Sequence, residues 1–213
     1  MQALEKIAYS NNWVTITLLL LFLSIVLLKL LNAKMLKENF FAFFDFSFIT
    51  DKDEEGSSFF DIFQIVLFLF SVAVISLMAH SLLRYKEAII ADDFSSFLNV
   101  FGCLFAYFLL KRILEFGLSF LFLIRESTQF FIISKSKYFH SLAFLLYITI
   151  ILSEYAKVNQ LYAYCFTGFL FVTRFILYSI RNKKLIFNKL FYYILYICAF
   201  EIAPLFVLFK LMF

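Results

Sequence analysis

Long apolar runs separated by short polar segments make up most of the chain. A helix needs about 20 mostly apolar residues to cross the hydrocarbon core of a bilayer. Six stretches have suitable length and predict spans at 13–32, 59–83, 94–115, 138–155, 161–180 and 185–212. The runs are continuous, whereas the strands of a membrane barrel alternate apolar and polar residues. We therefore expect an all-α, polytopic transmembrane helix bundle that forms a single integral-membrane domain over residues 1–213.

Two segments beside these spans have a different pattern. Residues 34–48 are aromatic but interrupted by charge, which predicts an interfacial helix along the membrane surface after the first span. Residues 116–131 follow the third span and contain an apolar piece too short to cross on its own. They either extend the third helix past Gly117 or form a second interfacial helix, and the pattern leaves both alternatives open.

Composition agrees with a membrane location. The chain is 64% hydrophobic and 16% charged, whereas soluble domains are about half apolar and a quarter charged. A soluble fold of this size has too little interior to bury so much apolar surface. The net charge of +4 is small and scattered, so no nucleic-acid partner is predicted. The three cysteines, Cys103, Cys165 and Cys198, are expected to be small buried hydrophobic residues rather than disulfide partners or metal ligands.

The distribution of Lys and Arg predicts the orientation. Leaving out Arg174, which lies inside a span, 13 of the 19 basic residues fall on one side of the predicted bundle and 5 on the other. Cytoplasmic loops carry the excess of positive charge. We therefore expect a bacterial inner-membrane protein whose N- and C-termini both face the periplasm.

Ionisable groups inside spans are costly in lipid and are therefore candidates for function. Arg174 lies in the fifth span and Glu201 in the sixth, and a short link makes these helices neighbours. The pair could form a proton or substrate site, or an ion pair that only locks the two helices together. Pro204 removes a helical hydrogen bond close to Glu201, and Cys198 lies one turn before that carboxylate, so both complete the set of intramembrane polar candidates.

A second cluster lies near the cytoplasmic end of the third span. Lys111, Arg112 and Glu115 could bind a lipid phosphate, or could simply be the charged end of the helix. His80 and His140 lie near span ends and are expected to be interfacial polar groups. No cofactor, metal site or catalytic motif is predicted, which disfavours an enzyme without excluding one.

The end of the chain resembles an uncharacterised family of bacterial inner-membrane proteins. Its pattern, Leu-Tyr-x-Cys-Ala-x-Glu-x-x-Pro-Leu, is matched by seven residues: Leu195, Tyr196, Cys198, Ala199, Glu201, Pro204 and Leu205. The family is a domain of unknown function found in Bacteroidota-type bacteria, so the resemblance implies a location but no activity. The chain departs from the family's pattern at 144–152, where relatives have Gly and Pro.

Three functions are compatible with these observations. The first is a non-enzymatic accessory or scaffold subunit of a membrane complex, with a membrane-protein partner or a second copy of the chain beside it. The second is a small transporter or lipid-handling protein that uses Arg174 and Glu201 as its polar core. The third is an intramembrane enzyme acting on a lipid-linked substrate, with Glu201 as its acid or base.

Overall fold

A computed structural model describes residues 12–42, 62–86, 93–121, 125–156 and 159–181. These residues form five α-helices and no strand: α1 (Asn12–Phe41), α2 (Ile62–Lys86), α3 (Phe94–Leu121), α4 (Arg125–Tyr155) and α5 (Gln160–Arg181). The prediction of an all-helical architecture is confirmed for this part of the chain. The predicted sixth span, 185–212, lies outside the described residues.

Four helical stretches in the described part are long and apolar enough to cross a membrane, namely Trp13–Phe41, Ile62–Tyr85, Phe94–Ile113 and Ser136–Tyr155. They agree with the first four predicted spans, so the chain is a membrane protein. The helix α5 covers the fifth predicted span almost residue for residue. Its role as a span remains a prediction, as does the total of six.

The helices α2 and α4 form the inside of the bundle. About half of each span is buried within the protein, 50% for α2 and 56% for α4, compared with 22% for α1 and 11% for α3. The core residues of the inner pair include Leu67, Phe70, Leu142 and Leu146, each at most 1% exposed. The outer helices α1 and α3 therefore present most of their apolar side chains to lipid.

Hydroxyl side chains inside these apolar helices satisfy their hydrogen bonds locally. The hydroxyls of Ser76, Thr149 and Thr167 each donate to the backbone carbonyl four residues earlier, at 2.7 to 2.9 Å. An unsatisfied hydroxyl would be costly in a region without water. These bonds allow polar residues to lie in a buried helix without a partner on another helix.

The helix α1 is broken at Asn32. The backbone of this residue is extended, with φ −158° and ψ 92°, and its side-chain Oδ1 accepts a hydrogen bond from the N–H of Met35 at 3.1 Å. This geometry is that of a helix N-cap. Asn32 therefore ends a first arm, residues 12–31, and starts a second arm, residues 33–41. The first predicted span, 13–32, ends at this break in the helix, and the point where the chain leaves the membrane stays a prediction.

Two hydrogen bonds to α4 show that the second arm turns back. The Tyr147 hydroxyl donates to the Leu18 carbonyl at 3.1 Å, and the Ser141 hydroxyl donates to the Phe40 carbonyl at 2.8 Å. The two donors are about 9 Å apart along α4, whereas the two acceptors would be about 33 Å apart along a straight helix. The chain must change direction at Asn32. The second arm thus packs on α4, and the predicted interfacial position of 34–48 is not confirmed.

The stretch 116–131 is divided between two helices. Its first six residues are the last turns of α3, and α4 begins at Arg125. The structure therefore shows the extension of the third helix past Gly117, and the described residues contain no additional helix between α3 and α4. The helix α4 also starts thirteen residues earlier than the span predicted at 138–155.

Ring contacts define the two ends of the bundle. The Trp13 ring lies 5.5 Å from both the His80 ring and the Phe97 ring, which brings together the start of α1, the end of α2 and the start of α3. We call this the Trp13 end. At the opposite end the Phe108 ring of α3 lies 5.0 Å from the Phe139 ring of α4. The successive helices therefore alternate in direction, as the short predicted links require.

Candidate functional site

A buried histidine connects the two inner helices. The Nδ1 atom of His140 in α4 lies 2.8 Å from the hydroxyl of Ser71 in α2, and its Nε2 atom lies 3.1 Å from the hydroxyl of Ser136. The His140 side chain is 2% exposed and Ser71 is fully buried. A hydrogen bond between polar groups at this depth contributes to helix association in a membrane protein.

Hydrogen bonds at both ring nitrogens fix the orientation of His140. The Ser71 hydroxyl also donates to the Leu67 carbonyl of its own helix at 2.8 Å. A hydroxyl can both donate and accept, so Ser71 can bond to its own backbone and to the imidazole. The surrounding bonds thus hold His140 in one orientation, which suits a structural link between helices.

The other histidine is also enclosed by protein. His80 is 3% exposed, and its ring packs edge-on against Trp13 and Phe97 at 5.5 and 6.3 Å. Sequence reasoning did not foresee that His80 and His140 are buried within the protein; their position at the membrane interface stays a prediction. Both lie near the ends of candidate spans, whose sequence does not reveal which side faces the protein.

A groove opens between the two arms of α1 and the helix α4. Its volume is about 410 Å³, within the range of roughly 300–1,000 Å³ that is typical of small-molecule sites. The first arm contributes Phe22, Ile25 and Lys29; the second arm contributes Ala33, Leu36, Lys37, Phe40 and Phe41; and α4 contributes Phe144, Tyr147 and Ile148. The two hydrogen bonds from Tyr147 and Ser141 hold α1 against α4 on either side of this groove.

The groove is apolar apart from two lysines. Among the described residues that line it, Lys29 and Lys37 are the only charged ones. The Tyr147 hydroxyl is already bonded to the Leu18 carbonyl, so its ring forms part of the apolar wall. An apolar groove with two cations at its rim has the chemistry to hold an apolar chain that carries an anionic group.

The structure describes part of the predicted cluster at the end of α3. Arg112 places its guanidinium 5.7 Å from the centre of the Phe68 ring of α2, and the Lys111 ammonium lies 5.9 Å from the ring of Tyr107. Both side chains are half-buried. Arg112 therefore packs towards the neighbouring helix, as cation–π contacts favour. The side chain of Glu115 lies outside the described residues, and neither cation lines the groove.

The predicted intramembrane polar set is not brought together in the described part. Arg174 lies in α5, but its side chain is outside the described residues. Cys198, Glu201 and Pro204 belong to the part of the chain beyond 181 and are also outside them. The proposed meeting of Arg174 and Glu201 therefore remains a prediction.

The predicted burial of the cysteines was wrong for the two that the structure describes. Cys103 in α3 and Cys165 in α5 are free thiols and are exposed at the surface of the bundle. In a membrane helix an apolar side chain can face lipid as easily as protein. Apolar sequence around a cysteine therefore indicates the membrane but does not indicate burial within the protein.

These features define a helical integral-membrane protein with a buried polar link and a lysine-bearing groove. A family model described as a domain of unknown function, DUF4271, matches residues 14–212. The chain belongs to this family, which confirms the resemblance to an uncharacterised family. No curated protein and no solved structure matches the chain. The match covers nearly the whole chain and assigns no activity.

Proposed function

We propose that the protein is a non-enzymatic accessory or scaffold subunit of a complex in the bacterial inner membrane, and that α3 contacts the partner. The proposal includes the multi-pass topology, with six spans and both termini in the periplasm. The observation that carries it is the outer face of α3. The partner is a transmembrane helix of another protein, and a second copy of this chain is the competing outcome.

The helix α3 is the least covered of the four candidate spans. In the part of the chain that the structure describes, only 11% of its apolar stretch is buried. Its exposed face includes the small residues Gly102, Cys103 and Ala106, and a side chain added at Gly102 would meet nothing within 4 Å. Small residues four apart allow another helix to approach closely in a membrane.

A polar residue adds to this face. Asn99 is exposed and lies one turn before Gly102 and Cys103. A carboxamide that faces lipid lacks hydrogen-bond partners, whereas a carboxamide between helices can bond across them. A partner helix on this face would therefore contact both a close-packing surface and a hydrogen-bonding group.

The buried histidine favours a structural role over catalysis. His140 is the described residue best suited to acid–base chemistry near neutral pH. Both of its ring nitrogens are hydrogen-bonded to serines, and it does not line the groove. A general base must reach the proton that it removes, and within the described residues both nitrogens of this ring are already bonded to serines of the bundle.

Affinity purification of the full chain from native membranes in mild detergent tests the proposal. We expect a partner at a fixed stoichiometry with the native chain, and its loss with Gly102→Leu or Ala106→Leu. Gly168→Leu is the matched control, because Gly168 is also exposed with open space around it but lies in α5. Retention of the partner by the α3 variants would overturn the assignment of this face.

The second candidate is the small transporter or lipid-handling protein with Arg174 and Glu201 as its polar core. The lysine-bearing groove favours it, because broken helices often border substrate sites in transporters. An intramembrane enzyme that uses Glu201 on a lipid-linked substrate is the related alternative. Movement of fluorescent phospholipids by the protein reconstituted in vesicles would support this reading, and a Glu201→Gln variant with unchanged movement would exclude a role for that carboxylate.

A further inference from the structure

We propose that the groove between the two arms of α1 and the helix α4 is a binding site for one anionic phospholipid. One acyl chain lies along the apolar wall, and the phosphate lies between Lys29 and Lys37. This inference does not depend on the partner proposed for α3, because the groove and the exposed face of α3 have no residue in common.

The lining matches the two chemically different parts of such a lipid. Nine of the eleven lining residues carry no charge, and most are Phe, Ile or Leu. Burial of acyl methylenes against this wall is favourable wherever it replaces water at the mouth of the groove. An acyl chain that moves into the groove from the surrounding lipid gains only packing energy, because lipid is equally apolar. The lysines must therefore supply the preference for one lipid over another.

The two lysines provide that preference by charge complementarity. Lys29 is on the first arm and Lys37 is on the second, so the turn at Asn32 brings cations from two separate segments to one groove. Among the described residues that line the groove, these two lysines are present and no carboxylate is. Basic pockets between membrane helices bind anionic headgroups for this reason. A zwitterionic headgroup cancels much of the attraction because its own cation is repelled.

The size of the groove suits an acyl chain better than a protein helix. A helix with its side chains is about 10 Å across. A volume of about 410 Å³ would hold roughly one turn of such a helix. A single extended acyl chain is much thinner, so it can follow the groove between the two hydrogen-bonded contacts of α1 with α4.

The chain contains a matched control for the charge effect. Lys34 lies in the same arm as Lys37 and is exposed, but it does not line the groove. A general attraction between basic residues and anionic lipid would involve Lys34 as much as the other two. A defined site would involve only Lys29 and Lys37.

The test measures lipid binding to the purified full chain in neutral detergent by native mass spectrometry. The probes are phosphatidylglycerol and phosphatidylcholine with the same acyl chains. We expect one phosphatidylglycerol to be retained and to bind at least tenfold more tightly than phosphatidylcholine. The double variant Lys29→Gln/Lys37→Gln should lose this preference, Lys34→Gln should keep it, and Lys29→Arg/Lys37→Arg should largely restore it.

Two results would overturn the site. The first is equal retention of both lipids by the native chain. The second is a loss of the preference for phosphatidylglycerol with Lys34→Gln that is as large as the loss with Lys29→Gln/Lys37→Gln. Ile25→Trp, which fills the groove, should prevent binding while leaving both lysines in place; unchanged binding would show that the lipid lies elsewhere. Partner purification with the double variant separates the proposals, since the α3 face is unaltered in it.

Discussion

The Nδ1 atom of His140 and the Ser71 hydroxyl lie 2.8 Å apart in a hydrogen bond that joins the two inner helices of the bundle. The Ser71 hydroxyl also donates a hydrogen bond to the Leu67 carbonyl, so the bond from α4 is anchored to the backbone of α2. The pair lies 69 residues apart in the sequence. It therefore contributes to tertiary structure rather than to the formation of either helix.

A double-mutant cycle on this pair should show a measurable coupling energy. For Ser71→Ala and His140→Phe we expect about 0.6 kcal/mol, and at most roughly 1.7 kcal/mol, as for other hydrogen bonds between membrane helices. Reversible unfolding in mixed micelles measures it. Ser76→Ala with His140→Phe is the control, because Ser76 bonds only to the Val72 carbonyl of its own helix. A coupling energy as large for Ser76→Ala with His140→Phe would contradict a direct hydrogen bond between Ser71 and His140.

Removal of the Tyr147 hydroxyl should loosen the contact between α1 and α4. Tyr147→Phe keeps the ring in the core but removes the hydrogen bond to the Leu18 carbonyl. We expect a loss of about 0.5–1.5 kcal/mol in the free energy of unfolding. Tyr155→Phe is the control, because its bond to Thr15 is longer, at 3.3 Å, and exposed. A larger loss of unfolding free energy with Tyr155→Phe than with Tyr147→Phe would contradict the greater importance of the buried Tyr147 bond.

The cap at Asn32 should be needed for the break in α1. Asn32→Ala removes the acceptor for the Met35 N–H and should cost about 1 kcal/mol. Asn32→Ser offers another capping oxygen and should retain most of the stability. Thermal unfolding compares the variants, and spin labels on the two arms measure their separation. A Ser variant that is as unstable as the Ala variant would show that the side chain acts in some other way.

Accessibility labelling tests the predicted orientation. In a chain without native cysteines, Lys34→Cys should react with an impermeant thiol reagent only from the cytoplasm, and Asp93→Cys only from the periplasm. Both positions are exposed, and Asp93 immediately precedes α3 at the Trp13 end. Reactivity of both from one side would contradict the alternating helices. The reverse pattern would show that the rule based on Lys and Arg fails for this protein.

Sequence reasoning succeeded for properties that depend on local composition. The uninterrupted apolar runs predicted the helices, and the polar residues around Asn32 and Lys34 marked the end of the first arm. The same reasoning did not foresee the burial of His80 and His140 or the exposure of Cys103, because the sequence of these helices does not reveal which side faces lipid. In a soluble protein the polar face of a helix points to water, so the opposite, apolar face can be identified as the buried one. In a membrane the face towards lipid is apolar as well, so the sequence does not make this distinction.

By itself, the sequence determined that this is a helical membrane protein of an uncharacterised family, because length and hydropathy decide whether a segment can enter a bilayer. Only the tertiary structure decided that α2 and α4 are the inner helices, that His140 bonds to Ser71, and that Lys29 and Lys37 share a groove. These features depend on which sides of distant helices pack together. Lipid and protein are almost equally apolar solvents for Phe and Leu, so side-chain packing and a few hydrogen bonds make that choice.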